Sequence, residues 1–213
     1  MSRRLPVYLL IDVSASMSGE PIEAVKNGLQ VLVSTLRQDP YALETAYLSV
    51  ITFGSQVAQV VHLTELATFQ QPNITPGGAT DMGAALKLLA QKIDQEIVKS
   101  SAETKGDWKP LVFLMTDGAP TDDWQSGLAE LKKRKTGMFV ACAAGLFANL
   151  SVLKQLTDNV VQLDSTDSNT IKSFFKWVSA SVSMGSQKVD SGQKEVTGLS
   201  ELPPPPPEIS IVT

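Results

Sequence analysis

The chain has 213 residues, 43% of them hydrophobic, and a formal net charge of −4. That suits one generous α/β domain whose core needs neither disulfides nor a structural metal. The mild acidity and the lack of a long basic run argue against nucleic acid as the main partner. The lone Cys142 excludes an internal disulfide and favours a reducing, cytoplasmic compartment.

Met1-Ser-Arg-Arg ahead of an apolar run imitates a secretion signal. The run is short, however, and meets Asp12, and cleavage near Ala15 would destroy the segment that follows. No apolar run approaches the length of about 18 residues that a membrane helix needs, so no membrane association is expected.

In chain order, residues 5–12 read as a buried strand. From Pro21 to Arg37, apolar residues at Ile22, Val25, Leu29, Leu32, Val33 and Leu36 have helical spacing, and Pro40 lies just past the end. Segments 46–53 and 57–63 are β-rich and separated by Gly54-Ser-Gln, which predicts a hairpin and one antiparallel strand. Pro76-Gly-Gly-Ala-Thr-Asp81 is a turn into a helix expected from Met82 to about Ser101. Segment 110–116 is a second continuous apolar run, ending in Asp117-Gly118. A helix over 124–134, a strand over 137–144, a short helix over 150–156 and a short strand over 160–163 follow. A helix over 171–182 closes the domain.

Alternation of strands and helices implies an α/β fold: a doubly wound, mostly parallel sheet, helices on both faces, and one antiparallel edge strand. The domain is expected to span residues 1–183. Residues 184–213 form a polar, proline-rich C-terminal tail, with five consecutive prolines at 203–207. That run suits polyproline II, as a semi-rigid linker or as a ligand for an aromatic groove.

Chemistry is concentrated at strand ends. Asp12-Val-Ser14-Ala-Ser16 sets one carboxylate and two hydroxyls past the first strand. Gly77-Gly-Ala-Thr80-Asp81 adds a hydroxyl at a helix start, and Asp117 a carboxylate past a second buried strand. Ser and Asp after a strand can simply cap the next helix. Three such segments at the mouth of a parallel sheet instead suit a small divalent cation bound by hard oxygens. Asp81 is expected to cap the helix that follows it, and Asp122 and Asp123 to cap the helix from Trp124. His62 reads as a surface or strand residue, and Trp124 as core or an exposed anchor.

On these residues the chain resembles von Willebrand factor A domains with a metal-ion-dependent adhesion site. The family pattern is Asp-x-Ser-x-Ser, a Thr in a Gly-rich loop, and an Asp after a central strand. Asp12, Ser14, Ser16, Thr80 and Asp117 match it in order. The resemblance covers about residues 5–183. It implies that Ser14 and Ser16 bind the metal through their hydroxyls and that Thr80 binds it directly or through water. Asp12 and Asp117 would hold coordinating waters and the serines. Mg²⁺ is the expected ion, with Mn²⁺ or Ca²⁺ as alternatives, and a partner's Glu or Asp carboxylate completes the shell. Within the family the chain is similar to bacterial TerY-type proteins linked to tellurite resistance. That likeness implies a Ser/Thr kinase and a metal-dependent protein phosphatase as partners.

Two other readings stay open. A metal-dependent phosphohydrolase of the haloacid dehalogenase type would need Asp-x-Asp after the first strand, and Ser14 occupies the second position. No P-loop or Gly-x-Ser-x-Gly elbow is present, and the single His62 is far from the motifs, so the chain is not expected to be an enzyme. Alternatively the domain is a kinase substrate, switched at a residue such as Thr116, Thr121, Ser191 or Thr197.

Overall fold

The computed structural model describes residues 3–213. Its elements are β1 (Leu5–Asp12), α1 (Glu20–Leu36), α2 (Pro40–Thr45), β2 (Ala46–Phe53), β3 (Val57–Glu65), α3 (Met82–Glu96), β4 (Leu111–Thr116), α4 (Trp124–Lys132), β5 (Phe139–Ala144), α5 (Leu150–Leu156), β6 (Asn159–Leu163), α6 (Ser168–Ser191) and β7 (Ile209–Ile211). The seven strands form one sheet in the order β3-β2-β1-β4-β5-β6-β7. The five strands from β2 to β6 in that order run parallel, and β3 and β7 are antiparallel at the two edges.

Continuous apolar strands need cover on both faces, and the residues divide accordingly. Leu5, Val7, Leu9 and Ile11 of β1 join Phe113 and Met115 of β4 on one face, under α1, α2 and α6. Tyr8 and Leu10 join Val112 and Leu114 on the other, under α3, α4 and α5. The chain leaves β1 toward β2 on one side and later crosses to β4 on the other. The gap past β1 and β4 is therefore the point where the winding reverses, the usual ligand position in such sheets.

The expected α/β architecture is the one adopted, with β3 as the anticipated antiparallel strand and β7, within the segment expected to be a tail, as a second one. Several details differ. Pro40 does not merely follow α1: it opens α2, where Asp39 accepts hydrogen bonds from Tyr41 N at 2.9 Å and Ala42 N at 3.4 Å. Helix α3 ends at Glu96 rather than near Ser101. Beyond it, Asp107 Oδ2 takes the Val98 N–H at 2.8 Å, and the chain turns back with Asp107 N donating to Val98 O at 2.8 Å.

Residue 183 lies inside α6, which continues to Ser191 before Gly192 turns the chain at φ +67°. The segment that follows packs back on the domain. Val196, Leu202 and Ile209 are buried, Trp177 Nε1 donates to Pro203 O at 2.8 Å, and β7 pairs with β6. Among the described residues no helix is long and apolar enough to cross a membrane.

Candidate metal centre

Strand β1 delivers Asp12 to the reversal point with its side chain fully buried. One carboxylate oxygen accepts from Ser14 N at 2.7 Å and the other from Thr116 Oγ1 at 2.5 Å. Burial pushes the Asp12 carboxyl above its ordinary range, against these hydrogen bonds, which favour the anion. A carboxylate held from two sides is a fixed acceptor with little freedom to swing outward.

Past β1 the chain makes a single helical turn over Ala15–Met17. The turn brings the Ser14 and Ser16 hydroxyl oxygens to 3.0 Å from each other, and Ser16 Oγ donates to Asp117 Oδ1 at 2.7 Å. Asp117 follows β4, and Gly118 N anchors that loop on Thr116 Oγ1 at 3.3 Å.

The Gly-rich loop is stitched to the same rim. Gly77 N donates to Val13 O at 2.7 Å, Ala15 N to Gly78 O at 3.0 Å, and Asp81 N to Gly54 O at 3.3 Å. Gly78 has φ +81°, and a Cβ there would stand 2.2 Å from Ser55 Oγ, so both backbone and space demand glycine. Thr80 is buried and exchanges hydrogen bonds with Thr121: its N–H donates to Thr121 Oγ1 at 3.0 Å, and Thr121 N donates to Thr80 O at 3.0 Å. A Cβ on Gly118 would lie 3.9 Å from Thr80 Oγ1, which places that hydroxyl beside the Asp117 loop.

All five residues singled out in the sequence thus lie at one rim, linked directly or through neighbouring loops. The flanking acids divide differently from expectation. Asp81 sits at the start of α3 but makes no capping bond; it accepts from Thr121 Oγ1 at 3.1 Å instead. The cap of α3 comes from Asp122, whose two oxygens take Gly83 N and Ala84 N, each at 2.8 Å. Asp123 caps α4 through Ser126 N at 3.1 Å, as expected. Trp124 is partly buried against the α3–α4 side of the core, and His62 is largely exposed on β3.

Sequence reasoning missed the structural parts played by Thr116 and Thr121, which it treated only as phosphorylation candidates. Thr116 could have been found by pairing the two apolar runs, since β1 and β4 run in register with Ile11 beside Met115.

The donors are oxygens throughout. Among the described residues no group of three or more His, Cys, Asp and Glu is placed to hold a metal. Adjacent ligands around an octahedral Mg²⁺ at 2.0–2.1 Å stand about 2.8–3.0 Å apart, and the Ser14 and Ser16 hydroxyls, a hydrogen-bonded pair at 3.0 Å, are already close to that separation. The residues therefore fit a small hard cation.

The family model for the von Willebrand factor type A domain matches residues 7–177, most of the chain. The chain belongs to that family. Domains of this family are commonly interaction modules without catalysis. No curated protein matches the chain in sequence. Among solved structures, a von Willebrand factor type A protein from Catenulispora acidiphila is 20% identical with a TM-score of 0.66, covering 86% of this chain and 43% of its own. Proximal thread matrix protein 1 from the mussel byssus, with a zinc-occupied MIDAS motif, is 21% identical with a TM-score of 0.60, covering 84% and 48%. The pilus adhesin SpaC from Lactobacillus rhamnosus GG, in an open conformation, is 13% identical with a TM-score of 0.66, covering 85% and 30%. The chain thus spans less than half the length of each of these proteins, and the likeness is one of fold.

Proposed function

We propose that this domain is a metal-dependent protein-docking module that binds an acidic residue of a partner. Ser14 and Ser16 would hold Mg²⁺ through their hydroxyls and Thr80 directly or through water, with Asp12 and Asp117 accepting from serines and coordinating waters. The observation that carries this reading is the 3.0 Å separation of the Ser14 and Ser16 hydroxyl oxygens, with Ser16 tied to Asp117 at 2.7 Å. When bound, the ion supplies an electrophilic position for an anionic oxygen from outside. Asp12, held by Ser14 N and Thr116, fixes the floor of the site. Ser16 is exposed and faces the approach of a partner.

The mussel protein with its zinc-occupied MIDAS supports divalent-metal binding on this fold. The all-oxygen donor set favours Mg²⁺ over a softer ion, with Mn²⁺ or Ca²⁺ as alternatives. The reading is non-catalytic. Both carboxylates are engaged as acceptors by neighbouring groups, and Ser14 stands where an aspartyl-phosphate enzyme needs a second aspartate. The likeness to TerY-type proteins supports a role in assembling a cytoplasmic kinase–phosphatase system for tellurite or stress resistance.

Calorimetric titration of the full chain with MgCl₂, then with a Glu-bearing peptide in MgCl₂ or in EDTA, tests the docking reading. Binding of the peptide only in MgCl₂, lost in Ser14→Ala, is expected. Equal binding in EDTA would overturn it.

A further inference from the structure

We infer that Leu146 and Phe147 form an apolar subsite beside the metal centre that grips the residue next to the partner's carboxylate. This deepens the docking reading above and rests on it. Phe147 is 93% exposed and Leu146 76%, the highest values for large apolar residues among the described residues. They are consecutive, in the loop between β5 and α5. Isolated exposed apolar residues are ordinary, but an adjacent pair this open at a ligand rim marks a contact surface.

The pair shares one cleft of about 560 Å³ with Ser16 and Asp117, and Asp164 and Thr166 form part of its lining. The loop is pinned at both ends. Gln162 Nε2 donates to Gly145 O at 3.4 Å, and Asn149 N donates to Gly118 O at 3.3 Å, fastening it to the Asp117 loop. Asn149 also caps α5 through Val152 N at 3.2 Å. The two side chains are therefore presented from a tethered loop, which reduces the entropy lost on contact.

Charge selects the occupant. The ion takes one carboxylate, while Asp117 and Asp164 make the rest of the cleft unfavourable for a second acid. The complementary ligand is a peptide with a single Glu or Asp and an apolar side chain within about two residues. Two residues of extended chain keep that side chain within about 7 Å of the acid, at about 3.3–3.6 Å per residue.

Synthetic hexapeptides with one Glu, flanked within two positions by Leu or Phe, by Ser, or by Asp, are the probes. The full chain is titrated with each by fluorescence anisotropy in MgCl₂ and in EDTA. Leu- and Phe-flanked peptides are expected to bind about tenfold or more tightly than Ser-flanked ones, and Asp-flanked ones most weakly. Phe147→Ser, at a position too exposed to disturb the fold, should erase the apolar preference and leave the Ser-flanked peptide unchanged in MgCl₂. Equal affinity for Leu- and Ser-flanked peptides in MgCl₂, or a uniform loss in Phe147→Ser, overturns the subsite and leaves the metal reading standing. Binding that is the same in EDTA, or absent throughout, overturns both. Concentration-dependent self-association abolished by Phe147→Ser, with no peptide preference, assigns the pair to a second copy of the chain and also overturns the proposal.

Discussion

Thr116 Oγ1 donates a 2.5 Å hydrogen bond to Asp12 Oδ2 across neighbouring strands, with both residues fully buried. The bond joins β1 to β4 at the point where the winding reverses. It also links two sequence motifs 104 residues apart. In metal-free protein, Asp12→Ala leaves the Thr116 hydroxyl and the Ser14 N–H without this acceptor. We expect it to cost about 1–3 kcal/mol, since an unmet buried polar group carries its full desolvation penalty. Asp12→Asn keeps an acceptor oxygen and should cost less. Urea unfolding of both variants in EDTA measures the difference, and equal costs would mean that the acceptor is not what matters.

Ser16 separates metal binding from stability. It is exposed, so Ser16→Ala should change stability in EDTA by no more than about 0.5 kcal/mol. Wild-type protein should melt higher in MgCl₂, approaching about 2.7 kcal/mol of added stability at a hundredfold excess over Kd. Ser16→Ala and Ser14→Ala should lose that increment. A thermal melt series over MgCl₂ concentration decides it. An unchanged increment in both variants would remove the serines from the site.

The central strands were legible in the sequence because residues 5–11 and 111–115 are apolar without interruption, which suits a doubly covered parallel strand. The site was legible for a related reason: polar residues that abruptly end such runs must lie at the sheet's mouth. Short elements were not. Helix α2 has six residues, and its Pro40 signals a stop after α1 as readily as a start after Asp39. Strand β7 has three residues, too few for its Ile-Ser-Ile alternation to signal a strand, and only its pairing with β6 defines it. Asp122 was misassigned because capping rules look along one helix, whereas Asp122 caps α3 from the start of the next.

That cross-helix cap depends on close contact. A Cβ on Gly127 would stand 2.3 Å from Gly83 O, so α3 and α4 meet backbone to backbone. Gly127→Ala should therefore cost about 1–3 kcal/mol through overpacking, despite alanine's better helix propensity. Asp122→Ala should cost about 0.5–2 kcal/mol as a lost cap. Both changes shift the start of α3, two residues after Thr80, so the apparent Kd for Mg²⁺ should rise as well. Chemical denaturation together with metal titration tests the coupling. A neutral Gly127→Ala would show that the two helices can part freely.

The returning C-terminal segment is latched by Glu201. Thr197 Oγ1 donates to its Oε1 at 2.8 Å, Thr197 N donates to the same oxygen at 3.1 Å, and Lys188 Nζ meets Oε2 at 3.0 Å. These partners, Thr197 first, hold the Glu201 carboxyl down at about 2, against an ordinary 4.5. A depressed carboxyl contributes stability that is present above pH 4.5 and lost as pH falls from there toward 2. A carboxyl-carbon NMR titration should place Glu201 near the low value, and Thr197→Ala should move it up. At neutral pH, Glu201→Gln should mimic the protonated state, so limited proteolysis within residues 192–213 should be faster than in wild type while the sheet core stays protected. Titration of Glu201 at its ordinary value, with unchanged proteolysis in the Gln variant, would show that Glu201 does not hold the segment.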